Sequence, residues 1–130
     1  MDRLRCLIVS DTPCMKHDEG FKLFEPTLFE IEQVSKLVEE IRWATYVRDS
    51  EEGSLLRAPK AGNIYIEPLK FKRGGRQIHK KIGVILSLPL QMMSLIKKIR
   101  KVDAVHSRGP SVPAMLVILF SFFDSKRIYW

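Results

Sequence analysis

The stretch that decides the fold is LRCLIVS, residues 4–10, which is followed by Asp11, Thr12 and Pro13. A near-continuous apolar run of this length predicts a strand that is buried on both faces, as strands of parallel sheets are. The polar residues and the proline after it predict that the strand ends at Ser10. Parallel neighbours require crossover connections, usually helices, so strands and helices should alternate along the rest of the chain.

Alternation of this kind follows in the first half of the sequence. Residues 12–25 show no sustained period and predict a long loop, which is uncommon unless it binds a ligand or moves. Pro26 and apolar residues at three- and four-residue spacing predict a helix over residues 26–41. Residues 43–47 (WATYV) and 64–69 (IYIEPL) are rich in aromatic and β-branched residues, which predicts the second and third strands.

The second half of the sequence completes the pattern. Residues 70–81 (KFKRGGRQIHKK) are basic and contain two glycines, which predicts an exposed loop. A helix over residues 82–101 and a short strand over residues 102–106 follow. Residues 112–123 predict a helix too apolar to face solvent on any broad side, and RIYW at 127–130 is strand-like. Together these elements predict an α/β fold with a Rossmann-like, mostly parallel sheet and flanking helices.

The size and composition of the chain fit one folded domain. Its 130 residues include 45% hydrophobic and 28% charged residues, and this length is near the commonest domain size. We therefore predict a single domain over residues 1–130. Cys6 lies in the buried strand and Cys14 is the second cysteine, a number too small for a disulfide framework. The residues before Ser10 are too few for a signal-peptide core, so a reduced, cytoplasmic protein is predicted.

Charge is distributed unevenly along the sequence. The net charge is +7 and the pI is near 9.6, which predicts an anionic partner. Residues 11–52 carry 5 Lys or Arg against 11 Asp or Glu, whereas residues 57–101 carry 12 Lys or Arg against Glu67. The predicted basic surface consists of Lys70, Lys72, Arg73, Arg76, Lys80, Lys81, Lys97, Lys98, Arg100 and Lys101.

Two kinds of anionic partner are compatible with this charge. Only Phe71 is interleaved with the basic residues of 70–81 and no nucleic-acid motif is present, which favours a phosphate-rich or membrane surface over nucleic acid. The apolar stretches 82–96 and 111–123 are shorter than the roughly 20 residues of a spanning helix. Residues 82–96 with the basic run 97–101 instead predict a helix at a membrane surface, attached peripherally at the cytoplasmic face.

Ligands of open α/β sheets bind beyond the carboxyl ends of the strands, which directs attention to residues 11–25 and 106–111. Arg108, Gly109 and Ser111 combine a fork-shaped cation, a flexible residue and a hydroxyl at the start of a helix, where free amides favour phosphate or carboxylate. An equally weighted alternative is that Ser111 only caps the helix. His106, at the predicted strand end, is a candidate ligand contact, although a structural role is commoner for such a residue.

The first loop offers fewer candidates. It contains neither a G-x-G-x-x-G dinucleotide motif nor the glycine-rich cradle of a P-loop. Asp11, Glu19 and Gly20 are candidate ligand contacts, although carboxylates on a loop are usually only solvated. The cysteines and histidines show none of the paired spacings that zinc sites use, so no metal site and no cofactor are predicted for this chain.

The order of elements, and above all VDAVHSRGPSVPAMLVILFSFF at residues 102–123, resembles the N-terminal lobe of a family 4, GT-B-type glycosyltransferase. In that family a D-x-x-H-x-[RH]-x-P-S-like segment ends a strand and opens the helix that lines the cleft between the lobes. Here it consists of Asp103, His106, Arg108, Pro110 and Ser111. Many members carry a glycine pair in the first loop, where this chain has Gly20, and often a histidine at the position of Arg108.

The resemblance implies one lobe of a two-lobed enzyme that transfers a sugar from a nucleotide-sugar donor to an acceptor hydroxyl. This lobe would bind a glycan or lipid-linked acceptor and attach to an anionic membrane. Arg108, Gly109 and Ser111 would contact ligand, with Asp11, Glu19 and Gly20 as the opposite rim. The donor lobe, with its E-x7-E motif, is expected beyond residue 130 or on a second chain, so this chain by itself is not expected to catalyse transfer.

A second hypothesis, from a different class of protein, is compatible with the same sequence. The same basic residues could belong to a small non-catalytic α/β protein that binds anionic lipid or nucleic acid.

Overall fold

The computed structural model of the chain describes residues 4–12, 14–18, 20–48, 55–69, 77–109, 111–124 and the backbone of 127–129. In chain order the described elements are β1 (Arg5–Ser10), β2 (Cys14–His17), β3 (Gly20–Phe24), α1 (Glu25–Ser35), β4 (Glu40–Thr45), β5 (Val47–Arg48), β6 (Leu56–Arg57), β7 (Ile64–Pro68), α2 (Ile78–Ile99), β8 (Ala104–Arg108), α3 (Val112–Phe123) and β9 (Arg127–Tyr129). The described residues contain three helices and nine strands, and strict alternation of strand and helix is found from β7 to β9.

Five of the described strands form one sheet in the order β7-β4-β1-β8-β9, and every neighbouring pair in it is parallel. The predicted α/β, Rossmann-like sheet is therefore confirmed. Its central strand is β1, the apolar run that decided the prediction. The register pairs Ile8 with Trp43 on one side and with His106 on the other.

The two faces of this sheet are covered by different helices. Strand side chains alternate between faces, and Cys6 and Ile8 join a buried cluster that includes Leu28 of α1, whereas Leu7 joins a cluster that includes Leu95 of α2. The second cluster also includes residues of α3. Thus α1 covers one face, α2 and α3 cover the other, and the direction of winding reverses between β1 and β8.

A second sheet, in the order β5-β2-β3-β6, replaces the predicted loop over residues 12–25. Strands β2 and β3 form an antiparallel hairpin in which Cys14 faces Leu23, and both side chains are fully buried in the core beneath α1. The loop prediction is wrong because these strands are short. Phe21 and Leu23 alternate with Lys22, but an alternation of this length is too brief to stand out as a strand.

Several predicted boundaries also move. Helix α1 ends at Ser35 rather than at Ile41, because Ile41 is taken into β4, where it is fully buried. Helix α2 begins at Ile78, so the end of the predicted exposed loop is helical. Strand β8 extends to Arg108, because the pairing of Ser10 with Arg108 continues the ladder beyond His106.

The longer α2 corrects the prediction that neither apolar stretch reaches membrane-spanning length. Among the described residues, α2 is one helix of 22 residues that is long and apolar enough, by length and composition, to cross a membrane. No side chain in its first part, residues 78–90, is buried; the buried ones are Gln91, Leu95 and Ile99. Its exposed large apolar side chains are Ile78, Ile82, Ile85, Leu86, Leu90 and Met93.

The prediction that α3 has no broad solvent-facing side is also wrong. Met115, Phe122 and Phe123 are 67%, 75% and 76% exposed. The prediction followed from overall apolarity, yet α3 contacts the sheet and α2 over a single stripe. We call the exposed apolar residues of α2 named above, together with Val112, Met115, Leu119, Phe122 and Phe123 of α3, the α2/α3 outer face.

Candidate functional site

The winding of the sheet reverses between β1 and β8, and in open α/β sheets ligands bind at the carboxyl ends of the strands at this point. Ser10 ends β1 and Arg108 ends β8, and the register makes them direct partners. Alternation from Ile8 and His106 places both side chains on the α1 face of the sheet. The strand order therefore brings together a hydroxyl and a guanidinium that lie 98 positions apart in the chain.

A chain of hydrogen bonds holds the carboxyl end of β1. Trp43 Nε1 donates to Ser10 Oγ at 2.7 Å, and Ser10 Oγ donates to Thr12 Oγ1 at 2.9 Å. Thr45 Oγ1 donates to the carbonyl of Thr12 at 2.8 Å. All four side chains are buried. Sequence reasoning missed Ser10, Thr12 and Thr45 as site residues, although polar residues that end two buried strands were the available signal.

Arg108 is held at the rim by α1. Its Nη1 donates to the Glu30 carboxylate, and the two side chains are 37% and 59% exposed. The bond from Arg108 lowers the pKa of Glu30 below its usual value. Because the pair is exposed, its contribution to stability is small, and an anionic ligand could take the place of the carboxylate. The arrangement thus places a partly exposed guanidinium at the carboxyl end of β8.

The start of α3 is closed by its own cap. Ser111 Oγ accepts a hydrogen bond from Ala114 N at 3.3 Å, which confirms the capping alternative. Pro113 contributes no N–H, so the first turn retains few free donors for an anion. Gly109 has a φ of +81°, a left-handed conformation that favours glycine and turns the chain from β8 toward α3. Arg108 is therefore the stronger candidate of the two for an anion contact.

Replacing Ser111 with alanine is expected to lower the free energy of unfolding by about 1 kcal/mol, because Ala114 N loses its side-chain acceptor. Ser111→Asp is the matched control, since aspartate is an equally good cap. Urea unfolding of the three proteins measures the difference. Equal destabilisation by both substitutions would contradict a capping role.

The predicted opposite rim is only partly assembled. Asp11 follows β1 directly, and its Oδ1 lies 3.9 Å from Nη2 of Arg48 in β5. Gly20 lies opposite His17 in the turn of the β2–β3 hairpin, with a φ of +128°, at the other end of that ladder from Cys14. Glu19 lies outside the described residues. His106 is two positions before the end of β8, paired with Ile8 and Tyr129 inside the sheet.

The predicted basic surface also divides. Lys70, Lys72, Arg73 and Arg76 lie outside the described residues. Lys80 and Lys81 are exposed in the first turns of α2, and Lys97, Arg100 and Lys101 are exposed at its other end. Lys98 instead donates to Glu67 of β7, which also receives a bond from Arg42 at 3.2 Å. Lys98 is thus a structural ion-pair partner, and it does not belong to the predicted basic surface.

Cys6 and Cys14 have no visible chemical role in this arrangement. Both are free and buried, and burial raises the pKa of each thiol to about 11. They are therefore neutral at physiological pH and contribute to packing. Within the described ranges, no group of three or more His, Cys, Asp or Glu side chains is placed to hold a metal ion.

Comparisons of the chain with protein-family models, with curated proteins and with solved structures found no match. The function is therefore inferred from the site itself. That site consists of a hydroxyl network fixed by Trp43, an exposed Arg108–Glu30 pair and the Gly109 turn, all at the point where the winding reverses.

Proposed function

We propose that this chain is the acceptor-binding lobe of a GT-B-type glycosyltransferase, which transfers a sugar from a nucleotide-sugar donor to an acceptor hydroxyl. The observation that carries the proposal is the register pairing of Ser10 with Arg108 at the reversal of a parallel, Rossmann-like sheet. The sequence pattern from Asp103 to Ser111, which resembles that family, ends at the same place. The fold and the motif thus support a single crevice.

In this proposal Arg108 binds an anionic group of the acceptor, such as a phosphate that links a glycan to a lipid. A guanidinium suits this task because its planar donors match phosphate oxygens in pairs. In the absence of ligand, the Glu30 carboxylate is paired with the guanidinium of Arg108. The Trp43–Ser10–Thr12 hydrogen bonds hold the neighbouring carboxyl end of β1 in place. The nucleotide sugar would be held by a donor lobe, and transfer would take place between the two lobes.

The test is acceptor binding by Arg108→Ala. Arg5→Ala is a matched control because Arg5 is also an exposed arginine, paired at 3.2 Å with exposed Asp103, but at the amino edge of the sheet. The probe is a short oligosaccharide diphosphate, with the dephosphorylated sugar as its neutral counterpart, titrated by NMR. We expect Arg108→Ala to weaken binding about tenfold, the loss of about 1.4 kcal/mol, and Arg5→Ala to leave it unchanged.

Shifted amide signals at residues 10–12 and 107–109 would place the ligand in the crevice. Binding that is equal for both sugars, or equally sensitive to both arginine substitutions, would refute the proposal.

The second candidate function is a non-catalytic protein that binds anionic lipid or nucleic acid. It is favoured by the exposed cations at both ends of α2. This function predicts that the affinity for oligonucleotides or vesicles falls steeply as the salt concentration rises, and that Arg108→Ala leaves this affinity unchanged.

A further inference from the structure

A pocket opens between α2 and α3 at their carboxyl-terminal ends. Each helix follows one parallel strand and precedes the next, so both end at the amino edge of the sheet. The pocket is therefore at the opposite end of the domain from the crevice at Ser10 and Arg108. Its volume is about 190 Å³, and three residues of each helix line it: Ile96, Ile99, Arg100, Phe120, Phe123 and Asp124.

The size of the pocket indicates what fits in it. A cavity of roughly 150 Å³ holds a benzene ring, whereas pockets for small-molecule ligands usually measure about 300–1,000 Å³. The pocket thus has the size of one aromatic or large aliphatic side chain. Most of its lining is apolar, from the buried Ile99 to Phe123, which is 76% exposed. A side chain inserted here would remove part of the Phe123 ring from water.

The pocket is continuous with the rest of the α2/α3 outer face. Three helical turns before Ile96 and Phe123, the same faces of the two helices carry Ile85 and Val112, which are 62% and 42% exposed. Since α2 and α3 are neighbours in contact, apolar side chains flank the groove between them over about 16 Å. A groove of this kind fits an amphipathic helix whose apolar residues are spaced three and four positions apart.

Charge indicates the chemistry of such a helix. Residues 77–101 contain six Lys or Arg and no acidic residue. Lys97, Arg100 and Lys101 are exposed beside the pocket, and no carboxylate of the described residues pairs with any of them. Acidic residues next to the inserted side chain would meet these cations. A second copy of this chain would instead add its own basic residues to the interface.

We propose that the α2/α3 outer face binds an acidic amphipathic helix of another protein. The helix inserts one large apolar side chain into the pocket and pairs its carboxylates with Lys97, Arg100 and Lys101. A concave pocket beside a groove suits a partner with a projecting side chain, whereas a lipid surface is flat. The inference goes beyond the proposed transferase function and does not rest on it, because the pocket and the crevice lie at opposite edges of the sheet.

The probe is a fluorescein-labelled helical peptide of about 18 residues, long enough to be helical in water. It has leucines at three- and four-residue spacing, one central phenylalanine, and glutamates at the flanking positions. Two companion peptides replace the phenylalanine with alanine or every glutamate with lysine. Fluorescence anisotropy measures the affinity of each peptide for the wild-type chain and for two variants, Phe123→Ala in the pocket lining and Arg100→Glu at its rim.

The matched controls are Phe29→Ala and Lys22→Glu. Phe29 is 59% exposed on α1, and Lys22 is exposed on β3. Both helix and strand pack in the cluster on the α1 side of the main sheet, away from α2 and α3. Circular dichroism verifies that all variants are folded.

We expect wild-type protein and both controls to bind the original peptide alike, and both test variants to bind it at least tenfold more weakly. The alanine peptide should bind wild-type protein weakly and lose no further affinity for Phe123→Ala, because the two substitutions remove the same contact. Equal affinity for the glutamate and lysine peptides, or undiminished binding by either test variant, would overturn the proposal.

The absence of peptide binding would also overturn it, and two further measurements would then identify the occupant of the face. Binding to phosphatidylcholine vesicles that contain phosphatidylglycerol would assign the face to a lipid surface. A dimer of wild-type protein that Phe123→Ala lacks would assign it to a second copy.

Discussion

Replacing Trp43 with alanine is expected to lower the free energy of unfolding by about 3–5 kcal/mol. The indole of Trp43 in β4 is fully buried in the cluster beneath α1, so its removal leaves a large cavity there. The substitution also removes the donor to Ser10 Oγ. Urea-induced unfolding followed by circular dichroism measures the change, and a loss below about 1 kcal/mol would contradict this account of the core.

The control is Trp43→Phe, which keeps most of the apolar volume but removes the Nε1 donor. It is expected to cost less than the alanine variant, because the cavity is smaller and Ser10 Oγ still donates to Thr12. Its effect should instead be local. Faster hydrogen exchange at Asp11 and Thr12 would show that Trp43 orders the carboxyl end of β1, and unchanged exchange there would show that it does not.

Replacing Glu32 with alanine is expected to cost about 2–3 kcal/mol of unfolding free energy at neutral pH. Glu32 of α1 binds Arg57 of β6 through both carboxylate oxygens, at 2.9 and 2.6 Å, and accepts the backbone N–H of Lys60 at 2.7 Å. Its side chain is 12% exposed. Its loss leaves the guanidinium of Arg57, itself mostly buried, without its principal partner.

Glu25→Gln is the matched control, because Glu25 approaches the same Arg57 at 3.4 Å but is 50% exposed. We expect it to cost less than about 0.5 kcal/mol, as exposed ion pairs do. If both substitutions cost the same, burial would not be the factor that distinguishes the two carboxylates.

The Glu32 effect is also expected to depend on pH. The bond from Arg57 lowers the pKa of Glu32 from its ordinary 4.5 to about 2. A lowered pKa in the folded state stabilises the fold above pH 4.5, and this stabilisation disappears as the pH falls toward 2. The difference between wild type and Glu32→Ala should therefore be full at neutral pH and shrink in acid. A difference that stays constant from neutral to acidic pH would refute the ion pair.

Local patterns of neighbouring residues determine most of the main sheet. The apolar run at residues 4–10 predicts a strand buried on both faces, and it is the central strand β1. The helix over Val112–Phe123 is predicted with the correct bounds, because Ser111 and Pro113 mark its start within a few residues of sequence. Signals of this kind are contained in short segments, and sequence therefore displays them directly.

The β2–β3 hairpin and the end of α1 could not be predicted from local sequence, because they depend on competition between elements. Residues 14–24 are too short for a convincing period, and they become strands only because they pair with each other and with β5 and β6. Ile41 fits a helical stripe in sequence, yet it is buried in β4, and α1 ends six residues earlier, at Ser35. Propensity was overruled by tertiary pairing in both cases.

The candidate site shows the same division. Sequence predicted that Arg108, Gly109 and Ser111 lie at a strand end, because a strand, a turn and a capped helix follow one another there. Only the tertiary structure decided which groups those residues meet. Arg108 binds Glu30 from 78 positions away, Lys98 is taken up by Glu67, and Ser10 is fixed by Trp43. It also decided that α2 and α3 expose their apolar stripes, because exposure depends on which neighbours cover a helix and not on its composition.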